Sequence, residues 1–148
     1  MKLSSRTRYG LRILLDIAAY QFDGPVRVMD IAARLGISIK YIEKLIRRLK
    51  AAGFTNSKPG PHGGHTLTRE PASINLADVV RTMEGSVVIE CITNPEVCEI
   101  SATCPARKIW LTALDGFYTA LKAYTLADLQ ADPSLQLPAR SLPCMQGE

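Results

Sequence analysis

Cys91, Cys98 and Cys104 stand in the stretch CITNPEVCEISATC, three thiols inside fourteen residues of a 148-residue chain. Their spacing, Cys-x6-Cys-x5-Cys, lacks the close pairs of a thioredoxin motif or of a structural zinc site. Cysteines that only fill a core behave as small hydrophobes and are not gathered in one polar, acidic loop. An iron–sulfur cluster suits the pattern better, because it takes thiolates from loops and accepts a fourth ligand of another type. A thiol–disulfide switch needs only two of the three sulfurs and stays open beside it. Pro105 suits a first helical position, so Cys104 is expected as the N-cap of a helix whose dipole and free N–H groups favour its thiolate.

A second group of residues is arranged for binding. The segment SIKYIEKLIRRLKAAG predicts a helix over 38–52, opened by Ser38 and stopped by Gly53. Ile39, Ile42, Ile46 and Leu49, with Leu45, form its apolar stripe. Lys40, Glu43, Lys44 and Arg47 recur on the opposite side, flanked by Tyr41 and Arg48. A shorter helix, VMDIAARLG, precedes it, with Ile31 and Leu35 inward and Gly36 at its end. Short helix, glycine turn, second helix is the sequence form of a helix-turn-helix. Ser38, Lys40, Tyr41 and Glu43 are then placed to reach base edges. Lys44, Arg47, Arg48 and Lys58 are placed to meet phosphate.

The elements that must hold these groups are mainly helical. Leu11, Leu14, Leu15 and Ala18, widened by Ile13 and Ile17, mark a helix over 3–21. Phe54–Lys58 and His65–Arg69 bracket PGPHGG as a hairpin wing, with Gly60, Gly63 and Gly64 allowing a sharp turn or close approach to phosphate. His62 and His65 lie in this wing, as DNA contacts or as solvated loop residues. Asn75-Leu76-Ala77-Asp78 resembles a capping box and opens a helix to about Met83. The late helix carries Trp110, Leu114, Phe117, Leu121 and Tyr124 as an apolar stripe, more than a small winged domain covers alone, and is expected to dimerise with Trp110 as anchor. The fold class expected is mainly α with a small β-hairpin wing. Residues 1–84 form the DNA-binding domain, 85–104 the cysteine loop, 105–130 the dimerisation region and 131–148 a flexible tail.

Composition sets the frame. Residues 1–58 hold 12 Lys and Arg against 4 Asp and Glu, a balance of +8, and residues 59–148 hold 6 against 10, a balance of −4. A basic half joined to an acidic half points to nucleic acid as partner. No apolar run approaches the roughly 20 residues of a membrane span. Arg12 and Asp16 interrupt the apolar part of the N-terminus, which reads as a helix and not as a signal peptide. A cytoplasmic setting, where thiols stay reduced, is expected. An enzyme is not: there is no nucleophile–base pairing and no phosphate-binding loop after a strand.

The opening MKLSSRTRYGLRILLDIA, the turn and helix GISIKYIEKLIRRLKAAG, the wing KPGPHGG and the three-cysteine loop before a long helix resemble the Rrf2 family of winged-helix transcription regulators. The resemblance covers about residues 1–130. It implies a homodimer on a near-palindromic double-stranded DNA operator, with DNA binding tuned by an iron–sulfur cluster, 2Fe–2S in preference to 4Fe–4S. Cys91, Cys98 and Cys104 match the family's three ligands. Some members take the fourth ligand from a His three residues after the third cysteine, where this chain has Arg107. Others use an Asp near the N-terminus, where it has Arg8. Glu90, Glu96, Glu99, Cys144 or a small exogenous thiol are the alternatives. Where relatives carry a minor-groove Arg in the wing this chain has Pro59, preceded by Lys58. A cluster-free regulator answering to thiol oxidation or a small metabolite is the competing expectation.

Overall fold

In the computed structural model, which describes residues 3–85 and 90–135, helix α1 spans Ser5–Tyr20 and buries Ile13, Leu14, Ile17 and Ala18. A single turn, Gln21–Asp23, and Gly24 at φ 120° end its run. Helix α2 (Val28–Leu35) stops where Gly36 enters the left-handed region at φ 65° and donates its N–H to the Ala32 carbonyl. Helix α3 (Ile39–Ala51) follows, its N–H of Tyr41 donated to the Ser38 hydroxyl at 3.3 Å. Ile42, Leu45, Ile46 and Leu49 face Ile13, Leu14 and Ile31 in one core, closed by Phe54, Ile74, Val79 and Met83.

The wing is an antiparallel pair, β1 (Thr55–Lys58) and β2 (Gly64–Leu67), in the register Thr55 to Leu67 and Lys58 to Gly64. Val26 bridges to His65 through paired backbone bonds of 2.9 and 2.8 Å, fixing the wing to the segment before α2. The wing's glycines serve this closeness. A Cβ on Gly63 would lie 2.2 Å from the Lys58 carbonyl oxygen, and one on Gly64 would lie 2.6 Å from that of Val26. Only a residue without a Cβ passes.

Helix α4 (Leu76–Glu84) starts at Asn75, whose Oδ1 accepts from the Asp78 N–H at 3.0 Å. After the cysteine loop, with its short helix α5 (Glu90–Thr93), helix α6 runs over Pro105–Lys122. It lies on α4: Leu114, Phe117, Tyr118 and Leu121 pack against Ala77 and Val80. The apolar stripe expected along α6 is therefore divided. Leu114, Phe117 and Leu121 are half-buried inside the chain, while Trp110 is 47% exposed beside exposed Ile109 and Leu111. Tyr124 lies past the helix end, 56% exposed, its carbonyl accepting from Leu76 N–H.

The chain then folds back. Helix α7 (Leu126–Ala131) opens with a reciprocal cap between Thr125 and Asp128, and Leu126 is wholly buried in the main core. Irregular chain was expected from about residue 131. The helix ends there, a short turn covers Pro133–Leu135, and Cys144 with the rest of the expected tail lies outside the described residues. Among the described residues no helix is long and apolar enough to cross a membrane.

Candidate nucleic-acid interface and cysteine loop

Burying Ile42, Leu45, Ile46 and Leu49 turns the other side of α3 outward, and Lys40, Glu43, Lys44, Arg47 and Arg48 are all exposed. Ile39, expected in the buried stripe, is 45% exposed, because as the first helical residue it lies at the rim of the core. Ser38 is exposed with its hydroxyl engaged as the cap. Tyr41 is half-buried: its ring meets Tyr9 edge-on at 5.9 Å, and its hydroxyl lies 3.4 Å from that of Ser5. It thus stands in the seam between α1 and α3.

Lys58 is exposed at the end of β1, on the same basic half as α3. Lys50 is tied inward by a bond to the Ser57 hydroxyl, which anchors the wing to α3. His62 is exposed at the turn, whereas His65 is half-buried with its Nδ1 facing no hydrogen-bond partner among the described residues. Burial, and then the charge of Lys50, lower the His65 pKa below the ordinary histidine range. It is a half-buried residue of β2, with the neutral form favoured.

The start of α1 holds a contact between segments remote in sequence. Glu84 Oε1 accepts from the backbone N–H of Ser4 at 2.7 Å, from its hydroxyl at 2.8 Å and from the Thr7 hydroxyl. Burial pushes this carboxyl up, but the bonds from Thr7 and Ser4, with Arg6 nearby, outweigh it and hold its pKa below the ordinary range. One turn on, Gly10 leaves room for Met83: a Cβ there would come within 2.7 Å of Met83 Cε.

Cys91 lies in α5, Cys98 follows the turn Pro95–Val97, and Cys104 is the N-cap of α6, without a side-chain cap bond. All three are free thiols and half-buried. The loop is closed by the Cys91 carbonyl, which accepts from Arg107 Nε at 3.2 Å and from the Ser101 hydroxyl at 3.5 Å, and Ser101 N–H bonds the Cys98 carbonyl at 2.9 Å. In kind the donors fit an iron–sulfur group: three thiols, none in a disulfide, on one loop. They are not gathered, for among the described residues no three Cys, His, Asp or Glu side chains stand close enough to hold a metal ion. Glu90, Glu96 and Glu99 are exposed.

The Rrf2 family, described as iron-dependent transcriptional regulators, matches residues 3–132. The chain belongs to the Rrf2 family. Protein rrf2 of Nitratidesulfovibrio vulgaris is 46% identical over 136 residues, covering 91% of each chain. The regulator IscR of Aliivibrio salmonicida is 32% identical over 136 residues, 92% of this chain and 81% of the relative. Among solved structures, the IscR of T. potens superposes with a TM-score of 0.69 at 32% identity over 93% of both chains. CymR, the global cysteine regulator of B. subtilis, gives 0.71 at 31% identity over 88% of this chain and 97% of its own. This Rrf2 protein is a DNA-binding transcription regulator, and its relatives are regulators and not enzymes. Its helix-turn-helix is α2 and α3, and its wing is β1 and β2.

Proposed function

We propose that this Rrf2 protein binds a near-palindromic operator as a homodimer, with the chemical state of Cys91, Cys98 and Cys104 setting its affinity. Helix α3 enters the major groove, as the second helix of such a motif does. Lys40 and Glu43, near its start, reach base edges, and Glu43 accepts from a cytosine amino group. Lys44, Arg47, Arg48 and Lys58 meet phosphate. Two α6 helices meet through their first half, where Ile109, Trp110 and Leu111 are apolar groups exposed in the single chain. The observation that carries the reading is the pairing of this exposed basic face with three free, half-buried thiols on the loop joining α4 to α6.

Cys91, Cys98 and Cys104 are the residues that would hold an iron–sulfur cluster, which supplies, when bound, a centre whose presence and redox state follow iron, oxidants or nitric oxide. The chain's own part is to keep the three thiols on one closed loop, through Arg107 and Ser101, and to fix that loop on the first turn of α6. A second reading, direct thiol oxidation, is favoured by the three free thiols and by the likeness to a cysteine regulator. Anaerobic purification without chelator, with iron, sulfide and visible absorption measured together, separates them. Iron and sulfide in cluster proportion support the first reading. A colourless protein that takes up no cluster on reconstitution, yet whose DNA binding changes on oxidation, supports the second. Should the C91A/C98A/C104A variant bind DNA and respond as the wild type does, both are lost.

A further inference from the structure

The bonds of Glu84 to Ser4 and Thr7 join two places that the function must connect. Glu84 is the last residue of α4, and only residues 85–89 separate it from Glu90, where α5 and the cysteine loop begin. On the other side it grips the first turn of α1. Ser5, next to Ser4, and Tyr9, two residues after Thr7, are α1 residues that meet Tyr41 on α3. The loop therefore begins six positions after a carboxylate whose partners on α1 lie beside residues that touch α3.

The seam that carries this contact is tight. Gly10 admits Met83 so closely that a Cβ would lie 2.7, 2.9 and 3.0 Å from its Cε, Cγ and Sδ. Helices packed at that distance do not slide by small amounts, because a shift forces side chains to repack. On its far side α4 carries α6, through Ala77, Val80 and Tyr118, with the Arg81 guanidinium 4.1 Å from the Tyr118 ring. A displacement of the loop thus reaches α6 through the Arg107 bond to Cys91, and α4 through its flank, and α4 is fastened to α1 by Glu84.

We propose that Glu84 is a positioning residue for operator binding, holding the start of α1, and through Ser5 and Tyr9 the ring of Tyr41, in the register that the cysteine loop sets. The proposal rests on the reading that α3 meets DNA and that the loop governs it. It names the contact through which coupling passes, and a contiguous set of packed contacts is what such coupling requires.

The test uses the full chain and a DNA duplex selected by the wild-type protein from a random pool. Affinity for that duplex and for a random-sequence duplex is measured anaerobically in the wild type, Glu84→Ala, Thr7→Val and their double variant, each with the three cysteines intact and with all three replaced by Ala. We expect the wild type to show a cysteine-dependent ratio of about 10-fold, an ordinary allosteric magnitude. In E84A and T7V that ratio falls to within about twofold, random-duplex affinity is kept, and the two substitutions are non-additive, as expected for groups sharing one bond. A folded E84A with the full wild-type ratio overturns the proposal. If E84A fails to melt cooperatively, T7V, which removes a single hydroxyl donor, decides in the same way. A wild type with no cysteine dependence overturns the reading on which this rests and the proposal with it, whereas loss of DNA binding in Arg47→Ala would leave the α3 face standing.

Discussion

Replacing Arg34 by Met should cost far more than replacing its partner. Arg34 Nε and Nη2 bond the two oxygens of Asp16, each at 2.7 Å, and the guanidinium lies 4.0 Å from the Tyr20 ring. Asp16 is 1% exposed and Arg34 30%, so the carboxylate is committed to the interior while the cation has a way out to water. The Asp16 bond also raises the Arg34 pKa, so the cation is present at every ordinary pH. Met keeps the aliphatic stem but leaves a buried charge without a partner, a loss of about 3–5 kcal/mol. Asp16→Ala leaves an Arg that can turn outward, and costs about 1–3 kcal/mol for its charged bonds. With a urea slope of roughly 2 kcal/mol per molar, R34M should lower the unfolding midpoint by about 2 M and D16A by about 1 M. The assay is equilibrium urea unfolding followed by circular dichroism. Since the pair helps to fasten α1 to α2, R34M should also weaken operator binding near its unfolding transition. An R34M loss no larger than that of D16A would refute the reasoning, by showing that the buried carboxylate does not need its cation.

Further outcomes follow from the geometry. Arg47→Ala should weaken binding to every sequence and reduce the salt dependence by about two units for a dimer, one per lost phosphate contact. Glu43→Ala should mainly relax sequence preference, and binding titrations over a salt series on selected and random duplexes separate the two. Gly10→Ala should destabilise the fold, because forcing a methyl against Met83 costs about 1–3 kcal/mol and the helix-propensity gain returns no more than about 1 kcal/mol; thermal melting should show partial recovery with Met83→Val. Glu84 is held below the ordinary carboxylate range, so its contribution is full above its unfolded pKa of about 4.3 and is lost as pH falls through the lower folded value. Denaturant midpoints down a pH series should therefore drop less steeply at the acid end in Glu84→Gln than in the wild type. Trp110→Ala should shift sedimentation toward the single chain, and unchanged sedimentation would remove Trp110 from the interface.

The local elements were legible because their signals are local. Gly36, Ser38 and Asn75 mark helix ends by the conformation or bond they supply, and the structure uses each of them so. The late helix was legible as apolar but not as divided, since periodicity shows that a stripe is covered and not by what: α4 covers Leu114, Phe117 and Leu121 and leaves Trp110 out. Helix α7 was missed although its signal is present. Thr125-Leu126-Ala127-Asp128 repeats the pattern of Asn75-Leu76-Ala77-Asp78, and the two N-caps pair through an isolated bridge between Asn75 and Thr125. The weight of proline after it hid a helix of only six residues. Glu84 was not legible as a functional residue at all, because its partners stand 80 and 77 positions earlier and no spacing rule joins them.

Arg107 bears on the cysteine chemistry in a way its position alone does not reveal. In members of the family that take a histidine ligand, the residue three after the third cysteine binds the cluster. Here that residue donates to the Cys91 carbonyl across 16 positions, closing the loop at its base with a bond from protein to protein. Ser101, only 5% exposed, adds a second closure to the same carbonyl. The chain's own bonds thus close this loop, and its three thiols are free. A fourth ligand to a cluster would then come from outside the Arg107 position. Under either reading proposed above, the signal would be a change at Cys91, Cys98 and Cys104 on a loop that Arg107 and Ser101 already close.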